Sequence, residues 1–230
     1  MFEHISEVPG DAILGLMAAY RQDENPNKVD LGVGVYKDET GNTPILRCVK
    51  QAEALILQKE TTKAYSDAHG DPRFGERLLP IVFGADHPLL GTGRLSATES
   101  PGGTGALRLA ADLIKQQFPG RSVWLSDPTW PNHGGLFAAA GVPMQTYPYV
   151  DADNRLDFAA MMAAVRQIPE GDILLLHGCC HNPTGFDLSL EQWRELAGVI
   201  AERGLLPLVD LAYQGFGDGL DADAYGVRLL

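Results

Sequence analysis

The stretch ILLLHGCCHNPTG, residues 173–185, decides the fold together with LSLEQWRELAGVIAERG (188–204) and LLPLVDLAYQGF (205–216). Residues 173–177 form a short apolar run, which is typical of a parallel strand buried on both faces. Ser189 and Gln192 fit a helical capping box, apolar residues follow at helical spacing, and Gly204 is a suitable helix stop. The second apolar run, 205–209, completes a βαβ unit, so the sequence predicts an α/β fold with a parallel sheet.

Two polar residues follow the predicted strands of this unit. Asn182 precedes a proline, which disfavours helical backbone at Asn182, and Asp210 stands at the end of the second strand. Ligands of open α/β sheets bind at the carboxyl ends of the strands, so we expect both residues to face one crevice. A charged residue after a buried strand can instead cap a helix. The turn-like sequence AYQGFGDG (212–219) starts no helix at once, which favours a functional role for Asp210.

A glycine-rich turn, PGGTG at 101–105, precedes the helical sequence ALRLAADLIKQQF (106–118). Such a turn presents free N–H groups and the positive end of the helix dipole, which suits a phosphate group. It lacks the G-K-[ST] ending of a Walker A loop and is not a G-x-G-x-x-G dinucleotide turn. Because Gly-Gly turns are common, the motif alone leaves the ligand open.

Composition limits the classes of function. The chain has 230 residues, 45% of them hydrophobic, and a formal net charge of −12, which argues against nucleic acid or an anionic membrane as a partner. No run approaches membrane-spanning length, and the N-terminus has no signal pattern. Three cysteines form no disulfide framework, so a cytoplasmic protein is expected.

The remaining pattern predicts further elements in chain order. They are a helix at 13–20 capped by Asp11, a strand at 31–36, a turn at 38–41, a helix at 46–60 that packs Val49, Ala52, Leu55 and Ile56 inward, a helix from Asp71-Pro72 to Phe83 that Pro80 kinks or ends early, a strand at 122–126, a strand within 142–150, and a helix from Asp157 through Gln167.

HNPTG at 181–185, followed by D-x-A-Y-Q-G-F at 210–216, resembles the fold-type I aminotransferases that use pyridoxal phosphate. The bacterial aspartate and aromatic amino-acid group is the nearest match, over the whole chain. The resemblance implies a three-layer α/β large domain at 46–230 with an incomplete, mostly parallel sheet, and an N-terminal arm with part of a small domain at 1–45. It also implies a homodimer with a shared active site, and an arm that lies on the partner subunit.

The resemblance assigns cofactor-binding roles to seven residues. Asp210 would keep the pyridine nitrogen protonated, and Asn182 and Tyr213 would hydrogen-bond the phenolic oxygen. Gly103, Thr104 and the neighbouring subunit's Tyr65 would hold the phosphate. Trp130 would pack on the face of the ring. From the residues alone, Tyr65 could be a surface aromatic and Trp130 a packed loop aromatic.

The resemblance also implies substrate and supporting contacts. Gly34, Trp130 and Asn182 would contact the substrate, with backbone at Gly34 near its carboxylate, and His133 would hydrogen-bond the strand-end aspartate. Spacing alone would also allow a bulge at Gly34.

In the resembling family the Schiff-base lysine follows the next strand in an SxSK segment, with the substrate-binding arginines, and would lie beyond Leu230. The six lysines of this chain match no such motif; they are Lys28, Lys37, Lys50, Lys59, Lys63 and Lys115. We therefore expect no catalytic lysine in these 230 residues, and no transamination by them alone.

The implied parent reaction is transfer of an amino group from aspartate or an aromatic amino acid to 2-oxoglutarate. Two alternatives stay open: another pyridoxal phosphate reaction on the same fold, or a non-catalytic fragment that binds a phosphate compound. His177, Cys179, Cys180 and His181 suggest zinc, but adjacent cysteines are not a zinc-ligand spacing, so we expect no metal. Neither cysteine lies in a nucleophile elbow, which disfavours a Cys–His hydrolase.

Overall fold

The computed structural model describes residues 3, 12–29, 34–65 and 67–230. The chain divides into two compact units, Met1–Ala64 and Tyr65–Leu230. The predicted domain boundary between residues 45 and 46 stays a prediction. No helix within the described ranges combines the length and the apolar character that a membrane crossing requires.

The larger unit contains a parallel sheet of four strands, which confirms the predicted α/β class. The strands are β1 (Val123–Asp127), β2 (Met144–Pro148), β3 (Ile173–His177) and β4 (Leu206–Asp210). Their order is β2-β1-β3-β4, and β3 pairs with β4 so that His177 lies opposite Asp210. The carboxyl ends of these two strands therefore meet at one edge of the sheet.

Seven helices accompany the sheet in the described part of this unit. They are α3 (Pro72–Phe83), α4 (Gly102–Gln117), α5 (Asn132–Ala139), α6 (Phe158–Val165), α7 (Leu190–Arg203), α8 (Leu220–Asp223) and α9 (Tyr225–Leu229). Ile173 and Leu175 pack in one core cluster with residues of α4 and α5. Leu174 and Leu176 pack in the other with residues of α6 and α7. Both faces of β3 are covered, which explains its unbroken apolar run.

The predicted helix boundaries of the βαβ unit are confirmed. Ser189 and Gln192 form a reciprocal capping box at the start of α7, and Gly204 closes that helix in the left-handed region at φ 61°. Asp71 and Asp157 cap α3 and α6 through Arg73 N and Ala160 N. These caps satisfy N–H groups that the first turn of a helix leaves without partners.

Several boundaries differ from the prediction. Helix α3 runs through Pro80 to Phe83, because proline removes only one donor and the Gly84 N–H closes the last turn on the Pro80 carbonyl at 2.9 Å. Helix α4 begins at Gly102, so the glycine-rich turn is its first turn. Strands β1 and β4 begin and end one residue later than predicted, and α6 ends at Val165.

The N-terminal unit contains α1 (Ala12–Gln22) and α2 (Arg47–Lys59), and the turn at 38–41 is present. The predicted strand at 31–36 is wrong for residues 34–36, which are irregular; residues 31–33 and the Asp11 cap lie outside the described residues. The predicted packing of α2 is also wrong, since none of its residues is buried and Ile56 is 59% exposed. Helical periodicity identifies an apolar stripe but not what covers it.

Replacing the cap of α7 should lower stability by a defined amount. We expect Ser189→Ala to reduce the free energy of unfolding by about 1 kcal/mol, because the Gln192 N–H loses its acceptor. The measurement is urea unfolding followed by circular dichroism. Ser189→Thr keeps the hydroxyl and serves as the control. An alanine variant as stable as the threonine variant would contradict the role of the cap.

Candidate functional site

A pocket of about 220 Å³ lies at the carboxyl ends of β3 and β4. Its walls come from four places in the larger unit: the first turn of α4, the loop after β1, the turn after β3 and the segment after β4. The lining residues are Gly103, Thr104, Leu107, Trp130, His177, Cys179, Asn182, Asp210, Ala212 and Tyr213. Six residues to which the sequence analysis gave a binding role thus line a single pocket.

Asp210 is held by a buried histidine. His133 is fully buried at the start of α5, and its Nε2 lies 3.1 Å from Asp210 Oδ2, so the contact expected from the resemblance is present. A carboxylate only accepts hydrogen bonds, so His133 Nε2 donates. The Thr129 hydroxyl lies 2.8 Å from the other ring nitrogen, Nδ1. This pair fixes the direction of the carboxylate at the end of β4.

The hydrogen bonds continue from Thr129 to the turn that carries Asn182. The Asn182 backbone N–H donates to His177 Nδ1 at 3.1 Å, and His177 Nε2 lies 3.3 Å from Thr129 Oγ1. A backbone N–H can only donate, so His177 Nδ1 accepts and its Nε2 carries the proton. Asn182, His177, Thr129, His133 and Asp210 therefore form a continuous series of contacts, in which His177 donates to the Thr129 hydroxyl and His133 donates to Asp210.

Two of the site histidines are buried among other rings. His177 stacks on His181 with ring centroids 4.1 Å apart, and His181 stacks on Tyr149 at 3.9 Å. Burial lowers the pKa of His177 to about 3, helped by its histidine neighbours, and lowers the pKa of His181 to about 4. Both rings are therefore neutral near pH 7 and form an uncharged wall behind the pocket.

The turn between β3 and α7 is held by a carboxylate. Asp187 accepts hydrogen bonds from Cys180 N at 2.6 Å and from His181 N at 2.8 Å. Gly178 sits against the segment after β4, where a Cβ would lie 2.5 Å from Leu211 Cδ1. These contacts set the backbone from which Asn182 enters the pocket.

The opposite end of the pocket is the first turn of α4. Gly103 and Thr104 are the second and third residues of this helix, where N–H groups have no intrahelical acceptor. A Cβ built on Gly103 would meet nothing within 4 Å, so the space beside this turn is open. The helix dipole adds positive potential there. The arrangement can hold an anionic group.

Two of the residues predicted to bind cofactor or substrate do not line the pocket. Tyr65 is fully exposed, and Gly34 belongs to the N-terminal unit, so the roles given to both stay predictions. Sequence reasoning missed Thr129 and Asp187, which no motif marks, and considered His177 only as a metal ligand. Within the described ranges, no three His, Cys, Asp or Glu residues are placed to hold a metal ion.

Comparisons with known proteins show which family the chain belongs to. The family model for aminotransferase class I and II matches residues 26–230. The aromatic-amino-acid aminotransferase of Pseudomonas aeruginosa is 60% identical over 99% of this chain and 57% of its own length. The aspartate aminotransferase of Escherichia coli is 49% identical over 99% of this chain and 58% of its own length.

A solved structure is similar in fold. The aromatic-amino-acid aminotransferase of Burkholderia pseudomallei, covalently bound to pyridoxal phosphate, matches with a TM-score of 0.96 and 42% identity. The match covers 100% of this chain and 58% of that one. The chain therefore belongs to the class I and II aminotransferase family, and it spans a little under three fifths of the length of these relatives.

The buried histidines should make stability depend on pH. A histidine whose pKa is lowered on folding takes up its proton more readily in the unfolded state, so stability is full above about 6.5 and falls as the pH drops towards 4. We expect each of His177 and His181 to contribute a slope of up to about 1.4 kcal/mol per pH unit in that interval.

A variant isolates one of these histidines. His177 and His181 together make the free energy of unfolding depend on pH, and His181→Gln should remove roughly half of that dependence. The slope is measured by urea unfolding between about pH 8 and pH 5. The difference between variant and wild type at about pH 8 serves as the reference for lost packing. An unchanged slope would show that His181 is not buried as a neutral ring.

Proposed function

We propose that the protein containing this chain transfers an amino group from aspartate or an aromatic amino acid to 2-oxoglutarate, with pyridoxal phosphate bound in the pocket. The observation that carries the proposal is the Asp210 carboxylate, held by buried His133 in the same pocket as the first turn of α4. An anion site and a fixed carboxylate in one pocket match the two ends of this cofactor. Family membership supports the reaction class.

The phosphate would be held by main-chain groups. The N–H groups of Gly103 and Thr104 would donate to it, and the Thr104 hydroxyl would donate a further hydrogen bond. None of the residues that line the pocket is a lysine or an arginine. Helix N-termini bind anions through such N–H groups and the helix dipole, so the pocket can bind a phosphate without a cationic side chain.

The other end of the pocket would bind the pyridine ring. Asp210, fixed by His133, would hold a proton on the ring nitrogen, and Tyr213 and Asn182 would donate hydrogen bonds to the phenolic oxygen. Trp130, at the pocket wall, would pack against the ring and contact the substrate. When bound, pyridoxal phosphate supplies an electron sink for the bonds at the amino acid's α-carbon. These side chains would orient that sink and keep it protonated.

The same proposal covers substrate, assembly and location. Relatives named for aromatic amino acids and for aspartate both match nearly the whole chain, which supports both substrate classes. We further propose a homodimer in which exposed Tyr65 reaches the neighbouring subunit's phosphate site and Gly34 approaches the substrate carboxylate. A cytoplasmic location is proposed too, supported by the free thiols of Cys48, Cys179 and Cys180.

A completed protein tests the reaction. The 230 residues can be joined to the C-terminal segment of the Pseudomonas aeruginosa relative, beginning at the position that aligns after Leu230. We expect transfer from phenylalanine, tyrosine or aspartate to 2-oxoglutarate, measured as the oxo-acid products. Cofactor binding without any amino transfer would favour another pyridoxal phosphate reaction. Absence of cofactor binding would favour a non-catalytic phosphate-binding protein.

Removing the strand-end carboxylate should slow the reaction. In the completed protein we expect Asp210→Ala to lower kcat by roughly 10²–10³-fold, because the ring nitrogen loses the group that holds its proton. Steady-state kinetics give the measurement. Asp127→Ala is the matched control, since Asp127 also ends a strand but does not line the pocket. Turnover by Asp210→Ala within about threefold of the wild type would show that Asp210 is only structural.

The phosphate end can be tested separately. We expect Thr104→Ala to weaken binding of pyridoxal phosphate by roughly tenfold through loss of one charge-assisted hydrogen bond, while Thr104→Ser binds as the wild type does. Pyridoxal, which has no phosphate, is the matched ligand and should bind equally to both variants. Titration followed by tryptophan fluorescence gives the dissociation constants. Equal losses for both ligands would place Thr104 away from the phosphate.

A further inference from the structure

We propose that Asp223 is a positioning residue for Tyr213: its carboxylate gathers the backbone N–H groups of the turn at 213–219 and so fixes the phenol at the pocket. This inference rests on the proposed function, in which Tyr213 binds the cofactor. Asp223 itself lies on α8 and does not line the pocket. Its effect on the site would therefore pass entirely through the turn.

Three N–H groups of the turn converge on one carboxylate. Asp223 Oδ2 accepts from Gly215 N at 2.7 Å and from Gly217 N at 3.0 Å, and Oδ1 accepts from Asp218 N at 2.8 Å. Asp223 is 6% exposed. Charge-assisted hydrogen bonds of this kind are stronger than those between neutral groups, so the carboxylate acts as a central anchor for a segment without regular secondary structure.

The glycines of the turn show how closely it wraps the carboxylate. A Cβ on Gly217 would lie 2.7 Å from Asp223 Oδ1 and 3.3 Å from Cys180 Sγ. Gly215 has φ +92°, a region that L side chains rarely adopt. Glycine at these positions lets the backbone approach Asp223 on one side and the turn after β3 on the other. The anchored segment thus lies between Asp223 and the strand-end backbone that carries Asn182.

The charges around Asp223 leave the amides as its principal partners. Among the described residues, no lysine or arginine forms an ion pair with Asp223, and the thiol of Cys180 lies beside the same turn. Burial acts to raise the pKa of Asp223, but the hydrogen bonds from Asp218, Gly217 and Gly215 outweigh it and the pKa lies below its ordinary value. The carboxylate is therefore ionised near neutral pH, the form that accepts all three bonds.

A second contact holds the turn at another point. Gln214 Nε2 donates to the carbonyls of Ile81 and Leu220, both at 2.8 Å. These bonds tie the start of the turn to the end of α3 and to α8. They do not involve the N–H groups that Asp223 holds, so removal of the carboxylate should loosen residues 215–218 while Gln214 keeps the turn attached.

The test uses the whole 230-residue chain and two measurements. Amide hydrogen exchange is followed for the peptide that covers 212–219, and the dissociation constant of pyridoxal phosphate is measured by tryptophan fluorescence. The variants are Asp223→Asn, Tyr213→Phe and the double variant. Asp218→Asn is the matched control, because it removes a charge from the same turn while keeping the N–H that Asp223 binds. Exchange of residues 173–177 reports whether the core stays folded.

We expect Asp223→Asn to speed exchange in 212–219 by roughly tenfold or more, with no comparable change in Asp218→Asn. Cofactor binding should weaken by roughly fivefold in the Tyr213 background and by less than about twofold in the Tyr213→Phe background, because the effect passes through the phenol. Unchanged exchange, or an equal loss of binding in both backgrounds, would overturn the proposal.

Two further outcomes are also decisive. If Asp223→Asn unfolds the core, the variant Gly217→Ala is used instead, because its added Cβ collides with the Asp223 carboxylate while Asp223 itself is kept. Gly217→Ala should also speed exchange in 212–219 and weaken cofactor binding only when Tyr213 is present. Failure to show both effects would overturn the proposal. If the 230-residue chain does not bind pyridoxal phosphate, the same variants are compared in the completed protein. Absence of binding there would contradict the proposed function, while the exchange data still decide whether Asp223 holds the turn.

Discussion

The hydrogen bond between His133 Nε2 and Asp210 Oδ2 is the constraint on which the site depends. Because a carboxylate accepts hydrogen bonds, His133 Nε2 donates to Asp210, and the Thr129 hydroxyl connects the other nitrogen of His133 to His177. The donor at the far end is the backbone of Asn182. Loss of this contact would leave the buried His133 N–H without its acceptor and let the Asp210 carboxylate rotate. The remaining hydrogen bonds, from His133 to the Asn182 backbone, would then be weakened as well.

The elements that position this site could be predicted from sequence because their causes are local. Ser189 and Gly204 mark the ends of α7 through capping chemistry, and the unbroken apolar run of β3 reflects a strand with helices on both faces. The placement of Asn182 and Asp210 at one edge then follows from parallel pairing. Only the resemblance to a family pointed to His133, since 77 residues separate it from Asp210.

What could not be predicted depends on groups that are distant in sequence. Thr129 matters because its hydroxyl lies between two histidine rings, and His177 matters because burial keeps it neutral; neither property has a local pattern. Asp223 is similar, because an aspartate in a short helix gives no sign of the amides that it accepts. The stripe on α2 shows the opposite error, where a clear pattern identified the helix and wrongly implied burial.

A chain with a net charge of −12 can still contain an anion site because charge acts locally. The backbone amides of this unit are used in two ways. Asp187 and Asp223 accept hydrogen bonds from backbone amides, and these bonds fix the turns that carry Asn182 and Tyr213. In the first turn of α4, the amides of Gly103 and Thr104 have no intrahelical acceptor, and the space beside Gly103 is open. A backbone amide thus stabilises the fold where an aspartate accepts its hydrogen bond, and it can bind a ligand where no acidic side chain is present. The placement of aspartates therefore determines which amides remain available to a ligand.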